Sequence, residues 1–476
     1  MRKMVFVEPK PPNLHIFSKF KSPRLGLFIL GSMMKKRGWD VEVFIEDIEK
    51  LNWDSIRSAD MVGISSITST APRAYKIADK VRNLGIPVIM GGAHPTFLTD
   101  EALEHADFVI RGEGEKPLTA FMDAWENGKD YSSVPNLSYK TSGKTVHNPM
   151  GHFVTELDSI PFPDFSLLKG KNEITAEGKT IPIQTSRGCP FDCSFCSVTQ
   201  MFGRKYRFRS VENIIEELRQ YKDGKHFLFF NDDNFAANSK HTKELLHAMI
   251  REEFTFKWST QVRVEVAKDA ELIKLMKKAG CHTVFIGFES VNPESLKEVN
   301  KHQKVEDIVR AIKTFRKNGI HIHGMFILGL DHDNWKTMKQ TVRFALKAQL
   351  TSVQFLILTP FPGTELYKQN VSENRILFDD WSLFDGHHVV FKPTNFSVFE
   401  LQLAQIYSHK KFYSNLERIR KLIKGNITGF IINFYAQHLN RIWKKKNKVF
   451  LKVLELLKPN INADIVIIYR EKITLS

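Results

Sequence analysis

Short, mostly apolar runs alternate with helical patterns along the first 150 residues. The runs have the length and composition of buried parallel strands, and they are Val5–Val7, Val41–Ile45, Met61–Ile64, Pro87–Met90 and Phe108–Ile110. Helical periodicity lies between them, as at 25–36 and 72–83, and Gly38 and Gly85 follow these segments as left-handed caps would. This alternation predicts a doubly wound, flavodoxin-like α/β domain over residues 1–150.

Ligands on such a sheet bind beyond the carboxyl ends of the strands. The turns at these ends are Ser65–Thr70, Gly91–Thr96 and Arg111–Glu115. The adjacent glycines Gly91 and Gly92 would let the backbone approach a large ligand closely.

A second α/β series begins at Ile181. Its predicted strands are Ile181–Thr185, His226–Phe230, Lys257–Val262, Thr283–Gly287, His321–Leu328 and Ser352–Leu358. The predicted helices between them include Val211–Tyr221, Lys240–Arg251, Ala270–Ala279, Val305–Lys317 and Asn334–Ala348. These six strand–helix units predict a partial (β/α)6 barrel over residues 181–365, with its chemistry at the carboxyl ends of the strands. Residues 151–180 have turn residues and no sustained period, which predicts a linker.

Residues 366–476 have mostly helical patterns, with a late strand predicted at Ala463–Tyr469. From Leu401 to Ser476 there are fifteen Lys or Arg and four Asp or Glu, a net charge of +11 out of +16 for the whole chain. The basic residues alternate with apolar and aromatic ones, a pattern typical of helices that lie on an anionic membrane. A solvated basic face on packed helices and a nucleic-acid patch are the alternatives.

The composition is that of a soluble globular protein, with 42% hydrophobic and 26% charged residues. We expect a reducing, cytoplasmic environment, because the chain has only four cysteines and opens on a strand pattern rather than a secretory leader. Its apolar stretches are too short for a membrane-spanning helix.

Three of the four cysteines, Cys189, Cys193 and Cys196, stand together directly after the first predicted barrel strand. Thiolates bind iron–sulfur clusters, and three ligands to a four-iron cluster leave one iron open to a substrate or cofactor. A structural zinc site is the weaker alternative, because it requires four ligands and the remaining cysteine, Cys281, is far along the chain.

This cysteine loop on a partial barrel resembles the radical S-adenosylmethionine (SAM) superfamily, and with residues 1–150 it resembles the cobalamin-binding branch that methylates lipids, tetrapyrroles and natural products. The resemblance implies a 4Fe–4S cluster on the three cysteines, SAM bound at the open iron and cleaved to a 5′-deoxyadenosyl radical, and cobalamin. The cysteine count leaves room for one cluster only, which excludes relatives that need further clusters or a reactive cysteine pair.

The resemblance also implies binding residues. Those expected at SAM are Phe195, Asp232, Asp233, Glu289, Gly324, Gly329 and Gln354, and those expected at cobalamin are Ser65, Gly91, Gly92 and His94. The alternatives are helix capping for the acidic residues and packing for the strand glycines. Arg263, after the third predicted strand, is expected to pair either with the SAM carboxylate or with a nearby acid. Residues 1–150 contain no Asp-x-His-x-x-Gly run, so we expect no lower histidine ligand to cobalt; His15 and His94 are the candidates with turn context.

The implied function is a cobalamin-dependent methyltransferase acting on an unactivated carbon of a hydrophobic small molecule such as a lipid, isoprenoid or tetrapyrrole. The alternatives are an oxidative cyclase or carbon–carbon bond-forming enzyme, and a non-catalytic cobalamin or SAM sensor. Expected partners are a reductant such as flavodoxin or ferredoxin and, through the basic tail, the inner face of the membrane; no nucleic-acid partner is expected.

Overall fold

The computed structural model describes residues 1–11, 23–170 and 179–457, which form two compact units. The first unit contains residues 1–11, 23–170, 179–190 and 197–233, and the second contains residues 191–196 and 234–457. The domain boundaries predicted at residues 150, 180 and 365 stay a prediction. The predicted strand Ala463–Tyr469 and His15 lie outside the described residues.

Seven strands form the amino-terminal sheet among the described residues. They are β1 (Lys3–Glu8), β2 (Asp40–Ile45), β3 (Met61–Ser65), β4 (Val88–Gly91), β5 (Phe108–Ile110), β6 (Leu137–Thr141) and β7 (Lys144–His147). Their spatial order is β2-β1-β3-β4-β5-β6-β7, and β1 to β5 are parallel. The order 2-1-3-4-5 is that of a flavodoxin-like doubly wound sheet, so the predicted fold class is confirmed here.

Helices connect these strands. They are α1 (Leu25–Lys36), α2 (Trp53–Arg57), α3 (Ala71–Arg82), α4 (Ala93–Phe97), α5 (Thr99–His105) and α6 (Glu115–Glu126). In α3 the buried residues Ala74, Ile77, Ala78 and Val81 recur at helical spacing and pack in one core cluster with Val5 of β1. Burial of one stripe per helix against the sheet explains why hydrophobic periodicity located these helices well.

The strands β6 and β7 form an antiparallel hairpin that the sequence analysis did not predict. The turn is Ser142-Gly143, and both residues have positive φ, 48° and 74°. A two-residue turn of this kind matches the twist of a hairpin and favours glycine. The Ser-Gly pair between two short alternating runs was the available signal.

The described part of the predicted linker packs on α1. The Ser32 hydroxyl donates a hydrogen bond to the Phe162 carbonyl at 3.0 Å, and the rings of Phe28 and Phe165 lie 5.0 Å apart. This segment contains two short 3-10 helices, Leu157–Ser159 and Phe165–Leu167.

The first unit also contains the start of the second α/β series. Its elements are β8 (Thr180–Ile183), β9 (Ser186–Arg187), α7 (Val198–Phe202), β10 (Arg207–Phe208), α8 (Val211–Arg219) and β11 (Phe227–Phe230). β8 and β11 pair in parallel, and β9 and β10 form a short antiparallel ladder.

The second unit continues this series with four parallel strands. They are β12 (Lys257–Val262), β13 (Cys281–Glu289), β14 (His321–Leu328) and β15 (Ser352–Ile357), paired in that order. The intervening helices are α9 (Ser239–Arg251), α10 (Ala270–Lys278), α11 (Pro293–Glu298), α12 (Val305–Lys317) and α13 (Trp335–Lys347). All six predicted strands of the series are present, and α12 and β14 have the predicted bounds.

The carboxyl-terminal region is helical as predicted, with α14 (Glu365–Ser372), α15 (Val398–Phe412), α16 (Asn415–Ile423), α17 (Ile427–Lys446) and α18 (Lys448–Leu456). Helix α15 covers one edge of β15. The Tyr413 hydroxyl donates to the Val353 carbonyl at 2.6 Å, and the Phe355 N–H donates to His409 Nε2 at 3.2 Å. These buried side chains satisfy backbone groups that an open strand edge would expose. Across the described residues, we find no helix with the length and apolar character needed to cross a bilayer.

Candidate active site

A short ladder brings together the two ends of the segment that carries the cysteines. Arg187 of β9 pairs with Arg207 of β10, and Ser186 pairs with Phe208. Between Arg187 and Cys189, Gly188 has φ +87°, and a Cβ there would lie 2.7 Å from the Lys205 carbonyl oxygen. Glycine is therefore required on both counts immediately before the first cysteine.

Asp232, at the end of β11, holds the chain just before this loop. It is fully buried, and its carboxylate accepts hydrogen bonds from the Thr185 N–H at 2.9 Å, the Ser186 hydroxyl at 2.7 Å and the Ser186 N–H. Burial raises the pKa of Asp232 to about 6, although these donors lower it. These hydrogen bonds position the loop, and direct contact between Asp232 and SAM stays a prediction.

Asp233 is the neighbouring carboxylate and hydrogen-bonds to the Gly188 backbone. Burial and the charge of Asp232 raise the pKa of Asp233 to about 7. The alternative that these acids cap the next helix is wrong, because the cap of α9 is Asn238, whose side chain accepts from the His241 N–H.

The second and third cysteines belong to the second unit. The Cys196 N–H donates to the Cys193 carbonyl at 3.0 Å, and Ser194 exchanges backbone hydrogen bonds with Val299 and Leu366. These bonds fix a tight turn in which Cys193, Cys196 and Phe195 are all partly exposed. The aromatic residue predicted within the loop is thus half-buried.

Arg263 borders this turn. Its Nη1 lies 3.9 Å from Cys193 Sγ, and its guanidinium carbon lies 3.6 Å from the centroid of the Phe191 ring. The same side chain pairs with Glu265 at 3.0 Å, the alternative considered for it. A cation stacked on an aromatic ring thus borders the sulfur of a predicted cluster ligand.

Glu289, at the end of β13, is buried and pairs with Lys301, whose Nζ lies 2.6 Å from its Oε1. Its φ of +57° is a strained value for a residue other than glycine. It does not cap the following helix, because Asn292 does so. Backbone strain of this kind is common at functional sites. The role of Glu289 in binding SAM stays a prediction.

The three remaining residues predicted at SAM lie on β14, just after it, and on β15. A Cβ on Gly324 would lie 2.8 Å from Leu350 Cδ1, so a larger residue there would require neighbouring side chains to shift. Gly329 has φ +100° and donates its N–H to Asp333 at 3.1 Å. Gln354 is partly exposed and hydrogen-bonds to His323.

An open cleft of about 360 Å³ lies at the carboxyl ends of β3, β4 and β5, entirely within the first unit. Ser65, Gly91 and Gly92 line this cleft, and their predicted contact with cobalamin stays a prediction. Gly92 has φ +96°, and a Cβ there would lie 2.5 Å from the Ser66 carbonyl oxygen. The apolar lining includes Leu25, Leu27, Ile29, Leu30, Ile64, Ile67, Ile89, Met90, Ile110, Leu118, Val198, Met201 and Phe202.

His94 lies beneath this cleft rather than on its lining. It is fully buried, with Nε2 3.3 Å from Glu101 and its ring centroid 5.9 Å from that of Tyr75. A contact between His94 and cobalamin stays a prediction.

A buried ion network beside the cleft was missed by the sequence analysis. Arg187 pairs with Glu115 at 2.6 Å and with Glu113 at 3.3 Å, and Arg207 pairs with Glu113 at 2.8 Å. Burial alone would raise the pKa of Glu115, but the charge and hydrogen bond of Arg187 outweigh it, so the pKa is lowered. Glu115 Oε2 is buried with no hydrogen-bond partner among the described residues. The sequence analysis predicted the turn Arg111–Glu115 as a ligand-binding segment. It did not identify the ion-pair partners Arg187 and Arg207, which are 72 and 94 residues further along the chain than Glu115 and Glu113.

The residues present fit the implied groups. The donor set for a cluster is three partly exposed cysteines that form no disulfide, whereas Cys281 is buried and burial raises the pKa of its thiol. Among the described side chains, no three His, Cys, Asp or Glu converge on one metal ion; the thiolates of a cubic cluster bind separate irons. For cobalamin, the apolar cleft is bordered by Gly26 of α1, where a Cβ would meet no atom within 4 Å.

Comparison with known proteins identifies the family. Residues 183–345 match the radical SAM superfamily, and residues 17–122 match the B12 binding domain. An uncharacterized methyltransferase of Pyrococcus horikoshii is 32% identical over 437 residues, which cover 88% of this chain and 94% of that protein. The chain belongs to the radical SAM superfamily, in the branch that carries a B12 binding domain.

A second relative and a solved structure are also similar to this chain over most of its length. The bacteriochlorophyllide d C-12(1)-methyltransferase of Chlorobaculum tepidum is 28% identical, covering 92% of this chain and 94% of that protein. The structure of the radical SAM methyltransferase TsrM from Kitasatospora setae, with cobalamin and a [4Fe-4S] cluster bound, has a TM-score of 0.65 at 20% identity and covers 78% of this chain and 75% of that one. The chain is therefore a radical SAM enzyme whose cofactors are a 4Fe–4S cluster, SAM and cobalamin, on the predicted α/β fold.

Proposed function

We propose that this radical SAM enzyme transfers a methyl group to an unactivated carbon of a hydrophobic small molecule such as a lipid, isoprenoid or tetrapyrrole. One observation carries the proposal. Helix α7 begins two residues after Cys196, and its Val198, Met201 and Phe202 form a wall of the apolar cleft in the B12 domain. The chain that leaves the cluster loop thus lines the cleft directly, which supports chemistry shared between the two cofactors.

The residues that would hold the cofactors follow from the site. Cys189, Cys193 and Cys196 would bind the cluster, and the backbone around Gly91 and Gly92 would approach cobalamin. When bound, the cluster and SAM supply a radical able to take hydrogen from an inert carbon, and cobalamin carries the methyl group. The protein positions the loop through Asp232 and keeps water away with the apolar lining of the cleft.

The substrate class is supported by the cleft and by the relatives. The cleft that would hold cobalamin is mainly apolar, also where α7 leaves the cluster loop, and the bacteriochlorophyllide d C-12(1)-methyltransferase, matched over nearly its whole length, methylates a bacteriochlorophyllide by name. A hydrophobic substrate resides in or near a bilayer, which supports a cytoplasmic enzyme in contact with the inner membrane face. A flavodoxin or ferredoxin would supply the electron.

Turnover with methyl-labelled SAM tests the proposal. The anaerobically reconstituted enzyme, reduced and incubated with an apolar extract, is expected to place label in an organic-soluble product and to release 5′-deoxyadenosine. The matched control replaces all three cluster cysteines by alanine and is expected to give neither.

The other outcomes contradict the proposal in distinct ways. Deoxyadenosine with a changed but unlabelled product would support the cyclase or carbon–carbon bond-forming alternative. Cofactor binding with neither product nor deoxyadenosine would support a sensor. Iron, sulfide and cobalt analysis of the same preparation ensures that cofactor loss is recognised.

A further inference from the structure

Helix α16 is amphipathic, yet every one of its residues is at least partly exposed. Its apolar residues Leu416, Ile419 and Ile423 recur at spacings of three and four, and Ile423 is 79% exposed. Apolar side chains at helical spacing normally face a core, but no element among the described residues buries these.

The adjacent helix α17 extends the exposed apolar surface. Its Ile427, Ile431 and Phe434 also recur at spacings of four and three, and Phe434 is 62% exposed. The two helices lie side by side, since Gln437 of α17 donates to Asn415 at the start of α16 at 3.1 Å. We call these six side chains of α16 and α17 the apolar face: Leu416, Ile419, Ile423, Ile427, Ile431 and Phe434. Exposed apolar side chains that recur at helical spacing on two adjacent helices are typical of an interaction site.

The adjoining flank of α16 lines a cavity of about 570 Å³ that is strongly basic. Helices α12, α13 and α16, with the residue that follows α16, supply the cations of this cavity, and Glu417 is the single acid among the described lining residues. We call this the basic cavity; its cationic residues are Arg316, Lys347, Arg420, Lys421 and Lys424.

Lys421 is a largely buried cation on the wall of the basic cavity. Its Nζ donates to the Thr351 carbonyl at 3.1 Å and lies 4.5 Å from the centroid of the Phe412 ring. Burial lowers the pKa of Lys421 to about 8, although Glu417 raises it. An anion in the cavity would offset the cost of burying this cation.

Helix α16 therefore presents apolar side chains on one side and, on the adjoining flank that includes Arg420, one turn after Leu416, a basic cavity with room for phosphate groups. We propose that α16 and the start of α17 dock on an anionic phospholipid bilayer, with the apolar face entering the acyl boundary and the basic cavity taking lipid phosphate groups. Charge complementarity selects this occupant, because the cavity is cationic and the cytoplasmic leaflet is anionic. A second copy of this basic surface would bring like charges together.

This inference deepens the proposed contact with the membrane and would place the enzyme beside a hydrophobic substrate. Its test needs no turnover, so it can fail or hold independently of methyl transfer. Full-length protein is sedimented with sucrose-loaded vesicles of phosphatidylcholine, with and without phosphatidylglycerol. Binding is expected only to the vesicles that contain phosphatidylglycerol, and added salt is expected to weaken it.

Two variants separate the apolar and basic contributions. Ile423→Asp is expected to abolish vesicle binding, whereas Lys424→Ala is expected to weaken it about fivefold, as for one basic residue at an anionic surface. Their matched controls, Leu84→Asp and Lys274→Ala, change exposed residues outside both regions and are expected to bind normally. Unchanged melting temperatures would show that all four variants are folded.

Soluble glycerol phosphate distinguishes a lipid from a free phosphate. It is expected to compete only weakly, since the apolar face contributes to vesicle binding. Full competition together with normal binding by Ile423→Asp would show a site for soluble phosphates and overturn the proposal. Equal binding to neutral vesicles, or concentration-dependent dimers lost in Ile423→Asp without vesicle binding, would also overturn it.

Discussion

The buried carboxylate of Asp232 accepts hydrogen bonds from both the hydroxyl and the backbone N–H of Ser186, three residues before Cys189. The carboxyl end of β11 thus fixes where the cysteine loop begins. The hydrogen bonds of Asp232 therefore position the segment that carries the cluster ligands, and its predicted contact with SAM stays a prediction.

Asp232→Asn tests this arrangement. The amide keeps the shape but turns one acceptor into a donor facing other donors, so we expect a loss of about 1–3 kcal/mol in the free energy of unfolding. We also expect less iron and sulfide per chain after anaerobic reconstitution. Asp223→Asn, at an exposed position, is the matched control. Full cluster content in Asp232→Asn would show that the loop does not depend on this carboxylate.

Arg187→Met tests the buried ion network. Removing this guanidinium leaves Glu115 buried without its cation, so unfolding in denaturant should require about 3–5 kcal/mol less free energy. The exposed pair Arg57–Asp54 provides the control, because Arg57→Met is expected to change stability by less than about 1 kcal/mol. The double variant Arg187→Met, Glu115→Met is expected to recover part of the loss; no recovery would argue against a pairwise origin.

The buried pair of His388 and Asp385 predicts a pH dependence of stability. His388 Nδ1 lies 2.9 Å from Asp385 Oδ2, and its Nε2 lies 2.9 Å from Asn447 Oδ1. Burial alone would lower the pKa of His388, but the charge of Asp385 outweighs it and raises the pKa above 6.5. The stabilisation by the protonated ring is therefore full below pH 6.5 and is lost as pH rises through the raised pKa.

The pKa of Asp385 shifts in the opposite direction, so this residue affects stability at acidic pH. Burial would raise its pKa, but His388 lowers it to about 2, so its contribution is lost only as pH falls through that value. Thermal melts of the native chain and His388→Gln should differ most near pH 5 and converge in alkaline buffer. A constant difference across this range would contradict the assignment.

Gly26→Leu separates cofactor binding from stability. Gly26 lies in α1 on the cleft lining with open space at its Cβ position, so a leucine there would occupy part of the cleft proposed to hold cobalamin. Leucine favours a helix over glycine by up to about 1 kcal/mol, so the melting temperature of the apoprotein should not fall. Cobalt content after reconstitution should drop sharply. Lys76→Leu, on an exposed helical position, is the control and should retain cobalamin.

Most of the fold could be predicted from the sequence because most strands and helices bury a periodic set of apolar residues. Residues 25–36, 305–317 and 321–328 were located with the observed bounds for this reason. The cysteines were identified by their spacing alone. The β6–β7 hairpin was missed because its strands are short and mostly polar outside Leu137 and Tyr139.

Other parts of the site have no local signature. Arg187 and Glu115 are 72 residues apart, and neither segment contains a sequence pattern that predicts their pairing. The capping alternative for Glu289 and for the acidic pair after β11 was wrong because Asn292 and Asn238, a few residues further on, serve as the caps. Which carboxylate faces a ligand and which supports a loop depends on contacts between distant segments.

The carboxylate of Glu113 touches the guanidinium groups on both sides of the cysteine segment, Arg187 before it and Arg207 after it. That acid is contributed by the turn after β5, in the domain that matches B12-binding proteins. Chimeras that exchange this domain between relatives would therefore need to carry over an acid able to serve both arginines. Without it, a grafted domain could fold and load its own cofactor while leaving the iron-binding segment unsupported.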